Sequence, residues 1–156
     1  HTNGYSLARK LFFEIGSYGV NDMIPELEKS VGLTLLEPHI NYTNNVFAVL
    51  DKEINVKGIA HITGGGLIEN IPRILPDGCD VEIKKESWPI LPVFDVMQSL
   101  GNVNEDEMCR AFNMGIGMVF IVNPDDMDAV KNATRNLTEV YEIGAVFSGS
   151  KNVTIT

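Results

Sequence analysis

Cysteine is scarce in this chain of 156 residues, cations are in deficit and no long apolar run occurs. The two cysteines, Cys79 and Cys109, have neither metal-ligand spacing nor company enough for a disulfide scaffold, so they read as plain thiols in a reducing compartment. Twelve Lys and Arg face 21 Asp and Glu, for a formal charge of -9. Such a chain lacks the positive field that displaces counterions from a phosphate backbone, which excludes nucleic-acid binding as its main task. A local site for one small anion stays open. No stretch approaches the roughly 18 to 20 apolar residues that span a bilayer, and no basic start leads into a signal-like segment. The chain therefore reads as soluble and cytoplasmic, with no membrane partner. The three histidines, His1, His39 and His61, are too scattered to form a metal-ligand set by spacing. Four glycosylation-type triplets, at Asn41, Asn132, Asn136 and Asn152, matter only in a secreted protein and read as chance.

What is present suits one domain over residues 1–156: 44% of the residues are hydrophobic, enough for a sizeable core. His1 is not a methionine, and the opening "HTNGYSLARK" reads as a loop entering a helix, so a longer polypeptide is expected. Leu7, Leu11, Phe12 and Ile15 follow at helical spacing until Gly16 and Gly19. Residues 21–29 are expected as a short helix, 34–42 as an extended connector broken by Pro38, and 44–52 as a helix. A strand at 58–63 leads through three glycines into a helix at 67–75, with Pro72 its awkward member. Residues 79–83 read as a strand and 92–100 as a helix begun by Pro92. Asn104 caps a helix whose first turn, Glu105-Asp-Glu107, suits the positive end of its dipole. The strongest strand is "GIGMVFIV" at 115–122. A helix from Pro124, with Met127, Val130 and Leu137 along it, precedes a strand at 140–147. Strands alternate with helices without a repeat, which predicts an α+β fold: a mixed β-sheet flanked by α-helices.

Three constellations carry chemistry. The run Thr63-Gly64-Gly65-Gly66 lies between strand and helix and matches no common nucleotide motif. Each glycine costs roughly 0.5 to 1 kcal/mol relative to alanine inside regular structure. The run either forms a tight packing turn or cradles an anion on backbone N–H groups at a helix N-terminus, with Thr63 a hydroxyl donor and Arg73 a cation. His61, in an apolar strand, is either a hydrogen-bonded structural ring or a group that orients substrate. Asn113, in "FNMGIGM", either closes a turn or reaches a ligand, and Asn3 in "HTNG" invites the same two readings.

Five separated blocks, "HTNGYSLARK", "KGIAHITGGGLIENIPRILP", the Trp88-Pro pair, "GNVNEDEM" and "FNMGIGM", together resemble the aminoimidazole ribonucleotide synthetase family, the phosphoribosylformylglycinamidine cyclo-ligases. The resemblance covers nearly the whole chain. It implies the C-terminal, substrate-binding half of an enzyme that closes the imidazole ring in purine biosynthesis. In that family ATP activates the formyl oxygen of formylglycinamidine ribonucleotide, the amidine nitrogen attacks, and ADP and phosphate leave. ATP and Mg2+ belong to the intact homodimeric enzyme, with most of the ATP site and the dimer contacts in an N-terminal domain absent from this chain. Neither cofactor is expected on this fragment, which alone is expected to be inactive. The resemblance makes His1, Asn3, His61, Thr63, Gly64, Gly65, Gly66, Asn70, Arg73 and Asn113 the candidates for substrate or phosphate binding, and names no general base. Alternatives are the C-terminal half of a related phosphotransferase, of the selenophosphate synthetase or thiamine-monophosphate kinase type, or a non-catalytic binding module. One departure stands out: Ile40 occupies a place where family members commonly carry a basic residue, in "EPHINY".

Overall fold

The computed structural model describes residues 3–156. Helix α1, Tyr5–Arg9, continues as a wider turn over Lys10–Ile15, where Gly16 N–H returns to the Leu11 carbonyl at 2.8 Å. Next come β1, Met23–Ile24, and β2, Lys29–Ser30, an antiparallel pair joined by a 3-10 turn at Pro25–Leu27. The helix expected over 21–29 is thus a hairpin. Proline fits the first position of the 3-10 turn, and Glu28 at φ 53 reverses the chain before a helix can propagate.

Ser30 caps α2, Val31–Leu35, by accepting the Leu33 N–H at 3.3 Å, so the expected connector begins only after this turn. Helix α3 spans Thr43–Leu50 and strand β3 Gly58–His61. Helix α4, Gly66–Asn70, tightens into a 3-10 turn at Ile71–Arg73, which accommodates Pro72. Strand β4 is Cys79–Ile83 and helix α5 Pro92–Gly101, with Asn102 at φ 45 ending the helix in place of Gly101. Helix α6, Glu105–Ala111, has its expected cap: Asn104 Oδ1 accepts the Asp106 N–H at 2.8 Å.

Strand β5 is Met118–Ile121, and α7, Met127–Thr134, follows a 3-10 turn at Pro124–Asp126. Leu137 lies beyond α7 and is exposed. Strand β6 is Gly144–Ser148, shorter and later than expected. Strand β7, Val153–Ile155, was not expected, since three residues give no period to read.

The α+β class holds, but the one expected sheet is divided into three among the described residues. Besides the hairpin, β3 pairs antiparallel with β5, and β4 lies between antiparallel β6 and parallel β7. The four residues from β6 to β7 arch over the start of β4. Asp80 Oδ1 holds this arch by accepting the N–H groups of Ser150 at 2.6 Å and Asn152 at 2.8 Å. One core is helical, built around Leu11, Phe12, Val31, Met97 and Met108; the other, around Ile62, Ile71, Ile83 and Trp88, fills the space beside the two larger sheets. Met114 packs against both cores and accepts the Trp88 indole N–H at 2.9 Å.

Candidate functional site

The glycine turn begins where β3 ends, with Ile62 fully buried and its N–H on the Gly117 carbonyl at 2.9 Å. Gly65 and Gly66 adopt φ of 93 and 59, a region that strains any side chain with a Cβ. A Cβ on Gly66 would overlap the Cys109 carbonyl oxygen and stand 2.9 Å from that of Phe112. The turn therefore lies directly against the carbonyl end of α6. Gly65 N–H donates to the Arg110 carbonyl at 3.1 Å, and Gly66 N–H to the Thr63 carbonyl at 3.0 Å. The positive start of α4 and the negative end of α6 thus satisfy one another, a favourable arrangement of dipoles.

Beneath the turn, buried Asn70 acts as its staple. Its Nδ2 faces the carbonyls of Gly66, Gly64 and Thr63 at 2.8, 3.1 and 3.3 Å, and its Oδ1 accepts the Thr63 hydroxyl at 3.2 Å. These contacts shape the loop from within. They commit the Thr63 proton and the N–H groups of Gly65 and Gly66 to protein acceptors. Within the glycine run, the Gly64 N–H is the backbone donor left without an acceptor among the described residues.

The chain's opening joins the same place. The Asn3 amide lies over Gly64, with Nδ2 3.3 Å from where a Cβ would stand. Gly4, at φ 78, approaches the Ala111 carbonyl and the Phe112 ring so closely that a Cβ would sit 2.6 Å from each. On the other side, Asn113 accepts the Gly115 N–H at 3.0 Å, closing the turn into β5. Three blocks far apart in sequence, around Asn3, Gly65 and Asn113, therefore converge on the C-terminal end of α6. Gly4 and the carbonyls of α6 were not among the sequence candidates; the glycine in "HTNG" was their one legible sign.

Two other candidates stand on the elements that flank the turn. His61 is exposed at the end of β3, opposite Met118, and Arg73 is exposed on the 3-10 turn beyond α4. At about 1.5 Å per residue, the helix sets Arg73 about 10 Å from Gly66. His1 lies outside the described residues.

Asn113 also lines a cavity of about 280 Å³ with Lys85, Trp88, Glu105, Cys109 and Phe112. Its rim carries an ion pair, Lys85 Nζ to Glu105 Oε1 at 2.8 Å, whose hydrogen bond raises the lysine pKa. Burial, reinforced by Glu105, pushes the Cys109 thiol up, the opposite of what a nucleophile needs. No group of three His, Cys, Asp or Glu able to hold a metal ion occurs among the described residues, and no helix is long and apolar enough to cross a membrane.

A family model described as AIR synthase related protein, C-terminal domain, matches residues 1–156. The chain belongs to this family. It is 47% identical over 154 residues to a protein named phosphoribosylformylglycinamidine cyclo-ligase from Thermoanaerobacter sp. (strain X514), covering 98% of this chain and 45% of that one. Proteins of the same name from Citrifermentans bemidjiense and Trichlorobacter lovleyi are 47% and 46% identical, over 94% and 99% of this chain and 42% and 44% of theirs. The AIR synthase related domain thus spans less than half the length of these relatives and corresponds to their C-terminal part. In fold it is similar to a thiamine-monophosphate kinase from Stenotrophomonas maltophilia K279a, with a TM-score of 0.63 at 15% identity over 98% of this chain and 46% of that chain.

Proposed function

We propose that this domain is the substrate-binding half of an ATP-dependent cyclo-ligase that converts formylglycinamidine ribonucleotide to aminoimidazole ribonucleotide in purine biosynthesis. The carrying observation is 47% identity across 98% of the chain to proteins named for that reaction. In the proposed reaction ATP supplies the phosphoryl group that makes the formyl oxygen a leaving group. The described residues present no metal-ligand cluster, and the glycine turn has two of its three N–H groups engaged. In this proposal nucleotide and metal belong to the remainder of the homodimeric polypeptide.

The domain's part is to bind and orient. Asn3 and the Gly64 N–H offer donors to a phosphate or ribose oxygen above the turn, with His61 and Asn113 as further proposed contacts. Thr63, Gly65, Gly66 and Asn70 hold that surface in shape. Holding the reacting groups in place is worth roughly 7 to 11 kcal/mol of barrier in well-oriented reactions.

Co-expression with the N-terminal half of the same polypeptide is the test. This chain alone is expected to leave formylglycinamidine ribonucleotide unchanged, and the pair to close the ring with ATP. A folded pair without turnover would overturn the reading. In the active pair, Asn3→Ala is expected to lower kcat/KM about tenfold or more, the worth of one hydrogen bond to a charged oxygen.

A further inference from the structure

Helix α2, with Leu36 at its C-terminal end, carries large apolar side chains on both its covered and its open side. Val31 is fully buried and Leu35 packs against the helical core, whereas Leu33 and Leu36 face outward, 62% and 77% exposed. The hairpin extends the same surface. Gly32 N–H donates to the Val20 carbonyl at 2.8 Å and Met23 pairs with Ser30, bringing Val20 and Met23, 57% and 62% exposed, beside the helix. Isolated exposed leucines are commonplace, but four large apolar side chains gathered on one corner mark an interaction surface. On the same helix the Thr34 hydroxyl is buried without a hydrogen-bond partner among the described residues.

The rim selects the occupant. The exposed acids of the same segment, Asp22, Glu26, Glu28 and Glu37, outnumber its one cation, Lys29, which is itself bridged to Glu37 at 2.6 Å. A second copy docked across a two-fold axis would set these acids against their own kind. The relatives, meanwhile, are more than twice as long as this chain, which covers 45% of one of them. We infer that the β1–β2 hairpin and α2 form the seat for the rest of the same polypeptide, on a surface apolar at its centre and basic at its rim. The inference rests on the proposed function only in taking a second half from it, and does not depend on ring closure.

Oxidative footprinting of the unaltered full-length polypeptide tests the seat, because Met23 is a built-in probe. Met23 is expected to oxidise as slowly as Met97 and Met108, which are buried here, at every protein concentration. In a separate variant, Leu36→Cys, maleimide labelling is expected to run at least tenfold slower than at Asp77→Cys, whose side chain is almost fully exposed. Fast oxidation of Met23, or equal labelling rates, would overturn the inference. Protection that disappears on dilution would also overturn it, by assigning the corner to a second copy. Ring closure measured on the same samples separates the two proposals. Turnover with Met23 open removes the seat alone, and protection without turnover removes the reaction alone.

Discussion

The end of α6 and the corner formed by α2 are both built from short elements, but one is complete within the chain and the other is not. At α6, carbonyls meet the N–H groups of the glycine turn, and Asn70 joins the strands of the loop from beneath. At α2, apolar side chains stand in solvent and a buried hydroxyl lacks a partner among the described residues. The contrast separates two uses of unusual sequence. Three glycines, locally costly, are explained by what touches them inside the chain. Four exposed apolar residues lack such contacts and are assigned, by the inference above, to a surface outside it.

The sharpest way to break this contrast is at Gly66. Gly66→Ala adds a Cβ that overlaps the Cys109 carbonyl at a φ that side chains rarely adopt. Backbone must move on one side or the other, so a loss of about 3 to 5 kcal/mol is expected in chemical denaturation. A change of less than about 1 kcal/mol would mean that the turn does not pack against α6. Asn70→Ala should follow at about 2 to 3 kcal/mol, because carbonyls buried by the loop lose their donor. Asn70→Asp is expected to do no better, since it turns the donor into an acceptor facing the same carbonyls.

Much of this was legible beforehand. Asn104 announced α6 and Pro92 announced α5, because capping and first-turn chemistry are local. The segment Cys79–Ile83 stood out as a strand between turn residues. The hairpin at Met23–Ser30 did not: at two residues each, its strands are too short to show a period, and the 3-10 turn around Pro25 resembled the start of a helix. For the site, the sequence left the glycines open between packing and anion binding because their meaning depends on α6, some forty residues away. Asn70 was recognised only as part of a family block, and nothing local disclosed that its amide points under the loop. Tertiary partners carried the information in both cases.

Smaller effects refine the picture around α6. Asn104→Ala removes the bond to the Asp106 N–H and is expected to cost about 1 kcal/mol. Cys109 gives a pH signature. Its thiol is pushed up in the fold by burial first and Glu105 second, against the ordinary value of 9.0. The folded state therefore prefers the neutral thiol. That contribution is fully present below the unfolded value near 9.0 and is lost as pH rises through the higher folded value. Tm followed from pH 8 to pH 10.5 should fall less steeply in Cys109→Ala than in the parent; identical slopes would remove the thiol from the account.

The smallest expected effect is the most pointed. Leu33→Ser and Leu36→Ser alter side chains that already stand mostly in water within this chain, so neither removes core contacts of the kind that Val31 or Leu35 makes. Surface changes of this sort normally stay within about 0.5 kcal/mol. Equilibrium denaturation of the 156-residue chain should therefore hardly register them, in contrast to the several kcal/mol expected at Gly66. In the full-length polypeptide the same two substitutions should lower the salt and denaturant concentrations at which its halves separate, because they roughen a covered apolar face. A large loss in the short chain would place Leu33 and Leu36 in its own core and make α2 as self-sufficient as α6. Silence in both chains would leave the apolar corner without a partner.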